Sequence, residues 1–99
     1  MKIEILPQAR DDLIEGFHFY EDKEEGLGDY FLACLYSDIE SLKVFGGIHP
    51  RPYRHFHRSL SKRFPFAIFY SVDDEVVRIR AVLDCRRNPS WIRQRLGRD

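Results

Sequence analysis

The sequence predicts a small α+β domain: an N-terminal strand, an antiparallel two-helix hairpin, a three-stranded antiparallel sheet and a short C-terminal helix. Three observations predict it. Apolar residues recur at helical spacing through the first half of the chain and at alternating spacing through much of the second. The polar segments "DKEEGLGD" and "VDDE" fall where a helical hairpin and a strand hairpin need their turns. The chain of 99 residues, 43% hydrophobic and 14% aromatic, is enough for one domain over residues 1–99 with a single sizeable core.

The elements follow in order. In "MKIEIL", Ile3 and Ile5 share one face and Lys2 and Glu4 the other, which is a short strand; the pattern does not say where it pairs. Pro7 suits the first turn of a helix, and Ala9, Leu13, Phe17 and Tyr20 continue it, so a helix is predicted over 7–21. Asp11, Asp12 and Glu15 lie early in it, where the helix dipole favours acids. Asp29 is expected to cap a second helix whose stripe is Phe31, Leu35, Ile39 and Leu42, closed by Gly46-Gly47. After the loop "IHPRPY", three strands are predicted: "YRHFHRSL", "FPFAIFYSV" and "EVVRIRAVL". Strict alternation in the last would put Val77, Ile79, Ala81 and Leu83 on one face and Arg78 and Arg80 on the other. Asn88 and Pro89 then suit the cap and first turn of a final helix, with Trp91 expected to pin it to the sheet.

Composition narrows the function classes. The net charge is zero, but residues 1–45 carry 11 acidic and 4 basic residues, while residues 46–99 carry 12 basic and 5 acidic. Eleven of those twelve cations are arginines, which favour bidentate contacts with phosphate and carboxylate. Arg54, Arg58, Lys62, Arg63, Arg78, Arg80, Arg86 and Arg87 all fall on the predicted strands or their connections, which predicts a surface for a polyanion or an acidic protein. No apolar segment follows the first Lys and no run is long enough to span a bilayer, so neither export nor a membrane role is expected. Cys34 and Cys85 are then read as reduced thiols in a cytoplasmic protein.

Candidate chemistry is sparse. His55 and His57, two apart on a predicted strand, would share one face, but with no third ligand at suitable spacing no metal or other cofactor is expected. Either imidazole is a candidate general base for an RNA 2′-hydroxyl. Cys85 reads as a small buried side chain, or, if exposed, as a thiol whose pKa Arg86 and Arg87 would lower. Tyr53, Phe56, Phe66, Phe69 and Tyr70 interleave with the basic residues and are read chiefly as core between sheet and helices.

The segments "QARDDLIEGFHFY", "FLACLYSDIESL", "RSLSKRFPFAIFYSVDDEVVRIRAVLD" and "RRNPSWIRQR" together resemble the RelE/ParE toxin superfamily of bacterial type II toxin–antitoxin systems. "FPFAIFY", "VVRIRAVL" and the following Arg-Arg, Pro and Trp are most similar to the ParE and plasmid-stabilisation branch. The resemblance implies a toxin neutralised by a cognate antitoxin, which would lay an apolar helix or strand over the hairpin and sheet and meet the arginines with acids. RelE-like members cut mRNA on the ribosome; ParE-like members act on DNA gyrase. On the first reading Arg58, Arg63, Arg80 and Arg86 would stabilise the phosphorane, with His55 or His57 as base. On the second, Arg58, Lys62, Arg63, Arg78, Arg80, Arg86 and Arg87 would form the target-binding surface. Where a nuclease would present His or Tyr at the end of the last strand, this chain has Asp84, Arg87 and Asn88, which favours the ParE-like activity over the ribonuclease. An inactive relative is the third alternative. A homodimer and a toxin–antitoxin hetero-oligomer both fit the pattern.

Overall fold

The computed structural model describes residues 1–53 and 55–97. The chain runs β1 (Lys2–Ile5), α1 (Pro7–Glu21), α2 (Leu27–Glu40), a single turn α3 (Leu42–Phe45), β2 (His57–Leu60), β3 (Phe66–Asp73), β4 (Val76–Asp84) and α4 (Pro89–Gly97). The sheet order is β1-β4-β3-β2. The last three strands are antiparallel, as expected, but β1 joins parallel to β4, with Ile3 opposite Val77, so the four-stranded sheet is mixed. A parallel neighbour needs a long crossover, and the helical hairpin supplies it.

The hairpin packs on one face of the sheet. Ala9, Leu13, Tyr20, Phe31, Leu35, Ile39 and Leu42 meet Phe66, Ile68, Tyr70, Val77, Ile79 and Val82 in the main core. Two glycines set how closely the helices approach. A Cβ on Gly16 would fall 2.5 Å from the Phe31 ring, and one on Gly28 would fall 2.7 Å from the Phe17 carbonyl. Asp29 does not cap α2. The helix begins two residues before it, after Gly26 at φ 88°, and the Glu21 carboxylate at the end of α1 accepts the N–H groups of Gly26 and Gly28, each at 2.9 Å. The α1 acids lie past its first turn, where Asp12 serves a different purpose described below.

The β3–β4 turn is a two-residue loop at Asp74 and Glu75, both with positive φ (49° and 64°), which is the primed geometry that matches strand twist. The segment predicted as the strand "YRHFHRSL" forms a strand only from His57; Tyr53 and Phe56 make an isolated bridge. Arg54 lies outside the described residues. The Asp38 carboxylate, buried on α2, ties that helix to the β2–β3 turn by accepting the Ser61 hydroxyl at 2.8 Å.

Candidate functional site

The outer face of the sheet is where the sequence places the arginines, and a bulge reshapes it. Phe69 pairs with Ala81 but Tyr70 pairs with Ile79, so Arg80 is an extra residue in β4. The alternation therefore changes parity at Arg80. Val77 and Ile79 face the hairpin, but beyond the bulge Val82 takes that direction, while Ala81 and Leu83 turn to the outer face. There they join Ala67, Phe69, Ile92 and Leu96 in a second core, with Tyr53 and Phe56 against it. The outer face is thus partly an apolar seat for α4, and Tyr53, Phe56 and Phe69 belong to it and not to the hairpin core. Ile92 and Leu96 pin α4; Trp91, 37% exposed, does not.

The predicted basic residues divide by partner. Arg78 lies 3.6 Å from both Glu4 and Asp73. Arg86 makes two hydrogen bonds to its neighbour Asp84, at 2.9 and 2.6 Å, and these hold the Asp84 carboxyl below the usual carboxylate range. Arg87 sits over the Trp91 ring at 4.2 Å and 3.8 Å from Glu15. Arg80 lies over the Phe56 ring at 5.6 Å. Lys62 and Arg63 are exposed at the β2–β3 turn, and neither forms an ion pair among the described residues. Arg58, on β2, has a buried Nε with no hydrogen-bond acceptor among them. The row of like charges expected from sequence is therefore half neutralised by acids of the same chain.

The two histidines do not share a strand face. His55 is exposed in a turn, whereas His57 is half-buried in β2. The His57 ring stacks on Tyr70 with centroids 5.0 Å apart, and its Nδ1 donates to the His49 carbonyl at 2.7 Å. The Tyr70 hydroxyl accepts the Gly47 N–H at 3.0 Å and bonds His49 Nδ1 at 2.5 Å. Burial, and then the nearby His57, pull the His49 pKa down, so this imidazole stays neutral at pH 7. The cluster clasps the loop after α3 onto the sheet. No local pattern announces it, because His49 and Tyr70 are 21 residues apart.

Three concavities border these residues. One, of about 550 Å³, brings His55, Phe56, Arg80 and Arg51 together on the outer face, with His57 at its border and its ring turned to Tyr70; Arg51 carries no signal of this in the sequence. A second, of about 480 Å³, lies along the open edge of β2. The third, of about 370 Å³, runs between α1 and α4 past Phe19, Leu83, Arg87 and Trp91. Its floor holds Asp12, whose carboxylate accepts the Val82 N–H at 3.0 Å and the Arg95 guanidinium at 2.8 Å. β1 stops short of Val82, so α1 supplies the acceptor that a longer strand would have given. Burial outweighs these two partners and raises the Asp12 pKa from 3.8 to about 6. The sequence does carry a signal for Asp12: with Gly16 and Tyr20 it follows at four-residue spacing on the buried side of α1. Cys85 is exposed, contrary to the expectation of a buried side chain, and its thiol is not activated. Partial desolvation, then the Asp84 carboxylate, push it up despite Arg58 and Arg86.

The helical hairpin on a mixed sheet, with a C-terminal helix across its outer face, is a fold this chain shares with a solved structure. A chain titled "Chromosomal ParDE TA system from P. aeruginosa" superposes with a TM-score of 0.71 at 14% identity, over 83% of this chain and 92% of that one. A family model described as "ParE toxin of type II toxin-antitoxin system, parDE" matches residues 3–89, and the chain belongs to that family. No curated protein matches the sequence.

Proposed function

We infer that the chain is the toxin of a type II toxin–antitoxin module, held inactive in the cytoplasm by a cognate antitoxin. On this reading it acts by binding a macromolecular target, DNA gyrase, without cutting nucleic acid itself. Family membership supports the toxin role. The observation that carries the choice of action is the end of β4. Asp84 is committed to Arg86, and Asn88 caps α4 by accepting the Ser90 N–H at 2.7 Å. Both side chains hold the local structure together, and an amide cannot exchange a proton with substrate at neutral pH. Purified protein added to gyrase should block supercoiling or trap a cleaved complex; normal supercoiling with no trapped DNA would end this reading. Among the described residues no helix is long and apolar enough to cross a membrane.

One observation favours a ribosome-dependent ribonuclease instead: Arg80 lies over the Phe56 ring in the outer-face concavity that Arg51 and His55 also line. An aromatic plate beside cations and an imidazole is suited to an unstacked RNA base and its phosphate. Toeprinting on translating ribosomes separates the two readings, since only the ribonuclease leaves cut mRNA, and only it should lose cutting with Arg80→Ala.

A further inference from the structure

The loop after α3 is held to the sheet chiefly by polar contacts. Of residues 47–52 only His49 is half-buried, and Ile48, the large aliphatic side chain of the segment, is 73% exposed. Four hydrogen bonds fasten the loop: the Gly47 N–H and the His49 imidazole both meet the Tyr70 hydroxyl, the His49 carbonyl accepts His57 Nδ1–H, and the Pro50 carbonyl accepts the Arg58 N–H. With no buried apolar anchor, a change in any one donor or acceptor falls directly on the loop. Gly47, at φ 98° and with open space where a side chain would stand, is a ready hinge.

The contacts of Tyr70 fix the tautomer of His49. The phenol oxygen accepts the Gly47 N–H at 3.0 Å. Burial raises the Tyr70 pKa, and the backbone N–H groups of Gly47 and His49, both bearing on that oxygen, work against it. With its oxygen so occupied, the hydroxyl has one role left toward the imidazole, that of donor, and His49 Nδ1 accepts it at 2.5 Å. Nδ1 is therefore bare and the ring proton sits on Nε2. A proton added at Nδ1 sets two donors against each other, and the Tyr70 oxygen can take the new N–H only by giving up Gly47. Either way a fastening is lost. His57 differs, because its Nδ1 already donates to the His49 carbonyl and a proton on its Nε2 leaves that bond intact.

The surroundings oppose a cation at His49. β2 contributes His57 and Arg58 and the β2–β3 turn contributes Lys62, all basic; β3 contributes the Tyr70 hydroxyl, and α3 lines this side with Phe45. The acid among the described lining residues, Asp38 on α2, is taken by the Ser61 hydroxyl at 2.8 Å and the Lys62 N–H at 3.4 Å. Burial and then His57 pull the His49 pKa down, so the closed loop disfavours a cation that the open loop accepts at the ordinary value.

We propose that residues 46–50 form a proton-operated strap, closed while His49 Nδ1 accepts the Tyr70 hydroxyl and opened when that nitrogen takes a proton. Opening withdraws Ile48, His49 and Pro50 from the wall of the 480 Å³ groove beside β2 and leaves the Arg58 N–H without the Pro50 carbonyl. The groove is thus a feature of neutral pH that acid dismantles, whatever target the chain acts on. Closure has its full stability above the ordinary histidine pKa of 6.5 and loses it as pH falls from there toward the lowered value, because the open loop binds the proton more readily.

The test is hydrogen exchange of the isotope-labelled full chain at about pH 7.5 and about pH 5.5, with protection corrected for the intrinsic effect of pH. Protection at Gly47 should fall by up to about tenfold, the limit for one imidazole of ordinary pKa across this range. The Ser61 N–H, bonded to the Phe66 carbonyl, should keep its protection. Imidazole nitrogen spectra should show His49 Nδ1 bare at the higher pH and protonated over the range in which Gly47 loses protection. His49→Asn sets an amide oxygen near the place of Nδ1, where it accepts the Tyr70 hydroxyl and cannot titrate, so Gly47 should be equally protected at both pH values. His57→Asn should keep the pH dependence. A proton on His49 Nδ1 at the higher pH, a pH dependence that survives His49→Asn, or one that vanishes in His57→Asn would overturn the proposal. Equal losses at Gly47 and Ser61 would also overturn it, by assigning the acid effect to general unfolding. If His49→Asn leaves Gly47 unprotected at both pH values, the wild-type nitrogen spectra decide: titration of Nδ1 in step with Gly47 supports the strap, and titration out of step overturns it.

Discussion

The substitution Asp12→Asn should make the protein's stability less dependent on pH in a calculable way. The Asp12 carboxyl is raised from 3.8 to about 6 in the folded protein, mainly by burial. An unfolded Asp titrates near its ordinary value, so between about pH 4 and pH 6 the folded state holds a proton that the unfolded state has released. Stability is therefore lost as pH rises through that window. Two pKa units correspond to about 3 kcal/mol. The side-chain amide of the variant cannot titrate, and its oxygen still accepts the Val82 N–H. Any constant effect of leaving Arg95 without a carboxylate appears at both ends of the range and cancels. Urea unfolding of both proteins at pH 4 and pH 7 should therefore show the variant gaining about 3 kcal/mol relative to the wild type as pH rises. A pH-independent difference would refute the burial argument. A wild type that gains relative to the variant would show that Arg95 governs the site, with Asp12 depressed and not raised.

Further outcomes follow from packing. Gly16→Ala drives a methyl into the Phe31 ring and should cost about 1–3 kcal/mol in denaturant unfolding, and Gly28→Ala at least as much because its obstacle is the Phe17 backbone carbonyl. Leu96→Ala should cost about 2–4 kcal/mol as it empties the second core, whereas Trp91→Ala should stay below about 1 kcal/mol. Tyr70→Phe leaves the Gly47 N–H without its acceptor and should cost about 1–3 kcal/mol, with faster hydrogen exchange at Gly47.

The helices and the β3–β4 hairpin were legible in the sequence because local signals set them. Pro7, the stripe from Ala9 to Tyr20 and the polar "DKEEGLGD" bound α1 to within the residues observed. The Val72–Glu75 turn was legible because two flanking runs alternate at strand period. What failed was information that depends on distant partners. A one-residue bulge reverses every later side chain in a strand, and nothing local in "VVRIRAVL" marks Arg80 as the extra residue. Without the bulge, Ala81 and Leu83 would lie in the hairpin core and α4 would have no apolar seat. For the same reason the arginine surface was only half legible. Arg86 and Asp84 are near in sequence, but the pairing of Arg78 with Glu4 requires β1 beside β4, which no spacing in the chain announces.

The parallel pairing of β1 with β4 also bears on when this molecule becomes whole. Lys2 lies opposite Val76 and Ile5 opposite Ile79, so the first strand made must wait for the last. The helical hairpin can form from local contacts early, but the sheet closes only once β4 has left the ribosome, and α4 can settle on its seat only after that. Synthesis must thus pass residue 84 before the sheet can close, so the helical hairpin exposes its core face for most of that interval.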